Sequence, residues 1–471
     1  MNFSLKHSSN TRWNQRGRIY FILFQWPQRI HFYILFLSLF ITCCISYRQP
    51  YGLLFSLKHV NFQMSSTEFV RDQLINEHKQ QQKLAVEWMD KFITDPSKYP
   101  HLMSNLTHQI YFYDYIHPTT SSAYSLLNKR KQISMNTTNH IVISILYGKQ
   151  DTDHREGKFY IGQILYHLLK YSHPRFLITL CENNNTNEQI SDGIKLIRQI
   201  FPVFIVNSIS TSSTTINTYE REKQAHLQCI LANFQSFPNL NHLLLLQDDA
   251  EPIHKDFSYQ LIKLIDDRIQ QQWPLNNHHR QQPAFIKIYH PRWLISYLYP
   301  SVYLITQLIA TSLLFTFIGY SFYKLFIEKK NDMKHYPTRI SFNNSIFLPE
   351  IINRTLIYFI AYFLLILFLL ILIDHSNLSW TWRSFHPSFY AIYPAPSCCL
   401  PGVLYFRQTY TQVTDYLNQV QCHSKYAIDT AFDDLPRRTN LRTYLVEPNL
   451  VHHIGLYSRL RRTYINPYLL D

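Results

Sequence analysis

Leu243-Leu-Leu-Leu-Gln-Asp-Asp-Ala-Glu251 carries the strongest fold signal in this chain, because an unbroken apolar run leads directly into two adjacent carboxylates. The run is too short for a helix and is typical of a central parallel strand that is buried on both faces. Ligands of open α/β sheets bind outside the carboxyl ends of the strands, so we expect Asp248 and Asp249 to face a diphosphate and a hard divalent cation. The structural alternative is that Asp249 starts a helix as its N-cap.

Strands and helices alternate upstream of this stretch. Residues 141–147, 176–180 and 203–206 are predicted strands, and residues 160–169 are a predicted helix. This alternation predicts an α/β fold with a doubly wound half. Tyr147 ends the first strand and is a candidate to lie against a nucleotide base, the alternative being ordinary packing in the core.

A charged helix is predicted between the third strand and the acidic stretch. It starts at Tyr219-Glu-Arg-Glu-Lys-Gln-Ala-His, where Arg221 and Lys223 are candidates to bind a diphosphate. The alternative is that both are solvated charges, which Glu220 and Glu222 pair with on the same helix.

The composition describes a chain that buries much of its surface. Aromatic residues make up 15% of the 471 residues and charged residues only 16%, which argues against a long disordered tail. The formal net charge of +14 would suit a nucleic-acid partner. However, the basic residues are dispersed and no nucleic-acid-binding module is recognisable, so we predict no nucleic-acid partner.

Three apolar segments predict a membrane protein. Residues 30–47 lack a small-residue cleavage site and follow the basic segment 1–29. They are therefore predicted to be a signal-anchor helix with a cytosolic tail and with the bulk of the chain in the lumen. Residues 302–323 and 355–373 contain no Asp, Glu, Lys or Arg and are long enough to span a bilayer.

The loop between the last two spans, residues 324–354, is rich in Lys and Arg and is predicted to be cytosolic. The two spans then form a hairpin whose flanking segments both lie in the lumen. We predict that residues 48–140 form a stem and the start of the lumenal region, and that residues 141–295 and 374–471 form the two parts of one lumenal domain. Two separate lumenal domains are the alternative.

Glycosylation triplets and cysteines test this topology. Triplets in predicted lumenal stretches start at Asn105, Asn136, Asn184 and Asn377. Five cysteines are predicted to be lumenal, namely Cys181, Cys229, Cys398, Cys399 and Cys422. Because five is odd, at least one of them is unpaired or bridged to another chain, and the pairing cannot be derived from the sequence.

Three further motifs follow in order along the chain: Tyr289-His-Pro-Arg-Trp, Cys398-Cys-Leu-Pro-Gly-Val-Leu-Tyr-Phe and Glu447-Pro-Asn-Leu-Val-His-His-Ile-Gly-Leu-Tyr-Ser. Together with the acidic stretch, they resemble the Golgi post-GPI-attachment N-acetylgalactosaminyltransferase family over residues 141–459. The resemblance implies an α/β glycosyltransferase-A (Rossmann-like) lumenal domain, interrupted by a two-helix transmembrane hairpin and preceded by an N-terminal transmembrane anchor. It also implies a Golgi membrane protein with three transmembrane helices, a lumenal catalytic domain and a cytosolic N-terminus. The N-glycan 4-beta-N-acetylglucosaminyltransferases share the acidic motif and the terminal His-Ile-Gly, but are similar only without the hairpin.

The resemblance also implies roles for individual residues. Asp249 is expected to contact Mn2+, His453 to be a further ligand, and Asp248 to lie near the nucleotide sugar. Arg221 and Lys223 match the family's Arg-Glu-Lys stretch and are expected to stabilise the diphosphate. The family's acidic motif is usually Glu-Asp-Asp, whereas Gln247 stands first here, and its missing charge would weaken cation binding if that position touched the ion.

An inverting transfer needs a base for the acceptor hydroxyl and a cation for the leaving diphosphate. By its position in the family pattern Asp429 is the candidate base, and Asp433 and Asp434 are the fallback candidates. The structural alternative for Asp429 is a helix N-cap.

The implied reaction is metal-dependent transfer of N-acetylgalactosamine from UDP-GalNAc to the mannose core of GPI glycans, with GPI-anchored proteins or the GPI glycolipid as acceptor and the lipid bilayer as partner. The alternatives are an N-acetylglucosaminyltransferase that acts on another lumenal glycan, and a catalytically inactive scaffold relative, which Gln247 keeps open. A receptor or transporter is disfavoured, because the two best-defined spans contain no charged residue for an ion or substrate path.

Overall fold

The computed structural model describes residues 64–95, 141–148, 160–171, 175–183, 201–206, 217–273, 283–291, 302–332, 347–373, 383–395, 399–458 and 463–467, with single positions at 40, 42, 43, 98 and 173. Most of the predicted anchor and stem lies outside these residues. So do the four predicted lumenal glycosylation triplets and the middle of the predicted cytosolic loop. The chain divides into two compact units, one of residues 63–294 with 379–471 and the other of residues 1–62 with 295–378.

The first unit begins with alternating helices and strands. Its elements up to the predicted hairpin are α1 (Met64–Thr94), β1 (Ile141–Gly148), α2 (Tyr160–Lys170), β2 (Phe176–Asn183), β3 (Val203–Val206), α3 (Thr218–Ser236), β4 (His242–Gln247), β5 (Ala250–Pro252), α4 (Phe257–Lys263) and β6 (Pro283–Lys287). Helix α4 continues through a π-helical turn, Leu264–Ile269, into the short helical segment Gln270–Gln272. The α/β pattern that the apolar periodicity predicts is confirmed.

The second unit contains two long apolar helices, α5 (Val302–Asp332) and α6 (Phe347–Ile373), which pack against each other. Both extend into the predicted loop 324–354, because the sequence prediction followed only the uncharged apolar stretch of each helix, and the Lys and Glu residues beyond it are good helix formers. Among the described residues, one helical window is long and apolar enough to cross a membrane, Ile305–Phe322, with a mean hydropathy of 1.5. The apolar part of α6, Phe359–Ile373, is shorter.

After the hairpin the chain returns to the first unit. Its elements there are a 3-10 turn (Pro387–Phe389), β7 (Ala391–Pro394), β8 (Gly402–Phe406), α7 (Tyr410–Gln419), α8 (Ile428–Arg438), β9 (Arg442–Glu447), β10 (Val451–His453), β11 (Tyr457–Ser458) and β12 (Thr463–Tyr464).

The described strands include one mixed eight-stranded sheet in the order β3-β2-β1-β4-β8-β6-β9-β7. Strands β3, β2, β1 and β4 are parallel to one another, which is the predicted doubly wound half. Strand β8 lies antiparallel between β4 and β6. Because β8 follows the apolar helices in the chain and β4 and β6 precede them, the centre of the sheet is assembled from both segments.

Both faces of the sheet are covered, as the apolar run of β4 requires. Leu244 and Leu246 pack into the hydrophobic core on one face, whereas Leu243 and Leu245 pack into the core on the other. All four side chains are buried, and each contributes about 1.5–3 kcal/mol relative to an exposed position. A Cys181–Cys229 disulfide joins β2 to α3 on the second face, while Cys422 is free and buried and Cys399 is disulfide-bonded.

Helix α1, which lies in the segment predicted to be the stem and the start of the lumenal region, packs against α2 and belongs to the sheet-containing unit. The ring of Trp88 meets that of Tyr166 edge-on with 4.9 Å between centroids. The Gln163 amide donates hydrogen bonds to Gln81 and to Glu251 at the edge of β5. This part of the predicted stem is therefore bound to the domain through apolar and polar contacts.

Candidate active site

The acidic pair lies in a tight turn at the carboxyl end of β4. Gln247 ends the strand, with its backbone N–H donating to the carbonyl of Pro401 at 2.8 Å, and Asp248 and Asp249 form the turn into β5. The N-cap alternative for Asp249 is wrong, because helix α4 begins only at Phe257. The intervening residues instead form β5, which pairs antiparallel with β10.

The β5–β10 pairing brings His453 to the acidic turn. In this register His453 lies opposite Ala250, and the backbone N–H of Ile454 donates to the carbonyl of Asp249 at 2.8 Å. The imidazole Nε2 of His453 lies 3.0 Å from Oδ2 of Asp249. Burial would lower the pKa of His453, but the carboxylates of Asp249 and Asp248 outweigh that effect and raise it above its ordinary value.

Gly455 allows the backbone to approach Asp249 closely. A Cβ atom at Gly455 would lie 2.3 Å from Oδ2 of Asp249 and 3.0 Å from its carboxyl carbon. A side chain at position 455 would therefore displace this carboxylate from its place beside His453. The glycine of the terminal His-Ile-Gly motif thus helps to keep the Asp249 carboxylate directed at His453.

The candidate base Asp429 lies in the first turn of α8, where its carboxylate accepts a hydrogen bond from the backbone N–H of Thr430 at 2.9 Å. Its N-cap alternative is wrong, because the cap is Ala427. Of the two fallback candidates, Asp434 accepts a hydrogen bond from the Tyr426 hydroxyl at 2.8 Å. Asp433 and Asp429 both attract the buried ammonium of Lys287. Burial lowers the pKa of Lys287 to about 8, although the two carboxylates act to raise it.

Glu222 is the functional candidate that the sequence reasoning missed. Burial raises its pKa to about 7, and the carboxylates of Asp429, Asp249 and Asp248 act in the same direction. The three predicted site carboxylates therefore all repel a negative charge on Glu222. The available signal was helical periodicity, since Glu222, His226 and Cys229 at i, i+4 and i+7 share one face of α3, and the last two are buried.

A protein-family model described as GPI-N-acetylgalactosamine transferase PGAP4 matches residues 141–452, more than half of the chain. The chain belongs to this family. It is accordingly a glycosyltransferase, and its large mixed α/β sheet fits a glycosyltransferase-like fold. The matched region runs from β1 to β10 and includes every site residue predicted from the sequence except His453, which directly follows it.

Helix α3 carries the two candidate diphosphate-binding residues, Lys223 and Arg221, and they differ in exposure. Lys223 is buried, with 1% of its side chain exposed; its ammonium pairs with Glu220 at 2.7 Å and donates to the carbonyl of Val420 at 2.5 Å. It thus joins α3 to the segment before α8 and has no exposed surface with which to reach a diphosphate. Arg221 lies in the first turn of α3 and is partly exposed.

Tyr147 is buried at the end of β1. Its hydroxyl donates to Oε2 of Glu182 at 2.7 Å, and its ring belongs to the hydrophobic core. The alternative reading of Tyr147, ordinary packing, describes this position.

The acidic turn brings together a carboxylate and an imidazole, two ligand types that divalent cations take. Within the described ranges, no three His, Cys, Asp or Glu side chains converge at metal-ligand distances. Asp249 and His453 do lie side by side, with Asp248 adjacent in the chain. Hard divalent cations are often held by one or two protein carboxylates and take their remaining oxygens from substrate phosphates and water.

Proposed function

We propose that this protein transfers N-acetylgalactosamine from UDP-GalNAc to the mannose core of GPI glycans, with GPI-anchored proteins or the GPI glycolipid as the acceptor. The observation that carries the proposal is the Asp249–His453 pair at the carboxyl end of β4, inside a domain of the GPI-N-acetylgalactosamine transferase family. In α/β sheets this edge is where ligands bind.

In the proposed reaction Asp249 and His453 hold Mn2+ and Asp248 lies against the nucleotide sugar. The bound cation would neutralise the charge that develops on the leaving diphosphate. Arg221, which is partly exposed in the first turn of α3, is the proposed contact of the diphosphate. The Gln247 side chain is not one of the proposed ligands, and the ion would take its remaining ligands from the diphosphate and from water.

Asp429 is the proposed base of an inverting transfer, and it would accept the proton of the acceptor hydroxyl. Its electrostatic coupling to Glu222, which is itself coupled to Asp248 and Asp249, supports this choice. Asp434 is less suitable because its carboxylate is already engaged by Tyr426 and lies 3.5 Å from Arg437.

We further propose that the protein is a Golgi membrane enzyme with a lumenal catalytic domain. The apolar helices α5 and α6 expose large hydrophobic side chains, among them Leu314, Phe317 and Leu364. The Cys181–Cys229 disulfide supports an oxidising compartment. A GPI acceptor is tethered to the bilayer by its lipid, so membrane helices emerging from the catalytic domain would raise the effective acceptor concentration.

The test is the mass of GPI glycans in cells that lack the endogenous transferase and express either this chain, its Asp249→Asn variant or an Asp267→Asn control. Asp267 is half exposed and pairs with Lys263, away from the acidic turn. We expect the wild type and the control to restore an N-acetylhexosamine branch, and the Asp249→Asn variant to lose it by about 100-fold or more, in line with removal of an electrostatic stabiliser of the leaving group.

Purified protein with UDP-GalNAc or UDP-GlcNAc then identifies the donor. A branch formed from UDP-GlcNAc in preference would move the assignment to an N-acetylglucosaminyltransferase. No restored branch by a wild-type protein that reaches the Golgi would overturn the GPI assignment.

A further inference from the structure

Two glutamates of the same helix differ in how their oxygens are satisfied. Glu220 accepts hydrogen bonds from the Gln224 amide at 2.9 Å and the Cys422 backbone at 2.7 Å, and pairs with Lys223. Glu222, two positions on, has a buried Oε2 atom that has no hydrogen-bond partner among the described residues.

The surroundings of Glu222 make this unpaired oxygen costly. A buried carboxylate without a partner loses its hydration, and like charges nearby add to the penalty. Its electrostatic neighbours, Asp248, Asp249 and Asp429, are all acidic. The charged groups that raise the pKa of Glu222 are thus of one sign, and a bound cation would supply the opposite sign.

We propose that Glu222 is a further acidic residue of the cation site and that the bound divalent cation offsets the charge at its buried Oε2 atom. The inference rests on the proposed function, in that it places the cation at Asp249 and His453. A sugar hydroxyl or amide is a weaker candidate for the same oxygen, because it would bring no positive charge to the four carboxylates.

Glu222 acts here as a positioning and electrostatic residue. The described side chains include no group of three that meets ligand distances, so its carboxylate is assigned to the surroundings of the ion, where it attracts the cation directly or through a water. Partners of this kind change metal affinity by about 10-fold to 100-fold when they are removed.

The experiment measures Mn2+ binding to the full-length, detergent-solubilised protein by the electron paramagnetic resonance signal of free Mn2+, both without nucleotide and with UDP present. The variants are Glu222→Gln, the matched control Glu220→Gln on the same helix, and Asp249→Asn. We expect Glu222→Gln to weaken Mn2+ binding by about 10-fold or more. Glu220→Gln should change the affinity by less than about twofold, since its oxygens are bonded within the protein.

Thermal unfolding provides a second measurement, in which the two glutamate variants should shift the unfolding midpoint in opposite directions. Without metal, Glu222→Gln should raise the unfolding midpoint because it removes a buried unpaired charge, whereas Glu220→Gln should lower it by breaking the Lys223 pair. The increase in midpoint that Mn2+ produces should be smaller in Glu222→Gln than in the wild type.

Wild-type Mn2+ affinity in Glu222→Gln would overturn the inference. If Asp249→Asn weakens binding in the same series, the proposed function stands and only the role of Glu222 is lost. If Asp249→Asn also binds Mn2+ normally, the proposed cation site itself fails. A raised KM for the UDP-sugar in Glu222→Gln with unchanged Mn2+ affinity would assign the carboxylate to the sugar instead.

Discussion

At the scale of single residues, the site depends on contacts between positions that are far apart in the chain. Asp249 and His453 are separated by 204 positions in the chain, but Nε2 of His453 lies 3.0 Å from Oδ2 of Asp249. The carboxylate was predictable because it follows an apolar strand. The partner, by contrast, reaches it only through the β5–β10 pairing and the absence of a side chain at Gly455.

Gly455→Ala tests how closely the Asp249 carboxylate must be held. The new methyl group would overlap Oδ2 of Asp249 and turn the carboxylate away from His453. Because misplacement of about 1 Å costs about 100-fold in rate, we expect kcat/KM to fall by about that factor while the folded protein persists. The matched control is Gly319→Ala, where nothing lies within 4 Å of the added Cβ, and unchanged activity in Gly455→Ala would contradict the prediction.

At the scale of elements, helix α3 shows where helical periodicity was informative and where it was not. The pattern predicted a helix whose first turns are charged, and the helix spans Thr218–Ser236 as one piece. It did not predict that Lys223 is buried against the carbonyl of Val420, since that contact depends on a segment 197 positions later. The buried face of α3 also carries His226, whose Nε2 lies 2.7 Å from the Tyr405 hydroxyl of β8.

The contact between α3 and β8 should make the domain sensitive to acid. Burial lowers the pKa of His226 to about 3, so below pH 6.5 the unfolded chain binds a proton that the folded chain excludes. The free energy of unfolding therefore falls as the pH drops below 6.5, by about 2 kcal/mol at pH 5 from this residue. Urea unfolding of His226→Gln between pH 7 and 5 should show a smaller loss than the wild type.

The control for this measurement is His423→Gln, an exposed histidine, which should keep the wild-type dependence. Some pH dependence will remain in His226→Gln, because burial also lowers the pKa of His242 to about 4. An unchanged slope in His226→Gln would show that this histidine has the same pKa in the folded and the unfolded chain, which would contradict the prediction.

At the scale of the whole molecule, one sheet is interrupted in the chain by a separate compact unit. Strands β4 and β6 come before the apolar helices, and β8, which lies between them, comes after. The two units have their own internal packing. The sheet should therefore form without the apolar helices, provided that the two chain segments stay connected.

A variant that starts at Gln63 and carries a flexible Gly/Ser linker of about 15 residues in place of residues 295–378 tests this arrangement. We expect cooperative unfolding and transfer to a soluble GPI-glycan fragment within about 10-fold of the full-length rate. Transfer to lipid-embedded GPI in vesicles should fall by about 100-fold or more, because the helices no longer concentrate enzyme and acceptor at one surface. Equal losses on both acceptors would show instead that the helices are required for the site.

The local features of this protein could be read from its amino-acid order: the strands 141–148 and 242–247, the helix 160–170, the apolar helices and the carboxylates at a strand end. These features depend on the spacing of apolar residues that are near neighbours in the chain. Burial of one or both faces of an element imposes that spacing. The insertion of β8, the meeting of Asp249 with His453, the burial of Lys223 and the grouping of Glu222 with the site carboxylates were decided by folding in three dimensions. They depend on which buried surfaces meet across hundreds of positions, and no local pattern records that choice.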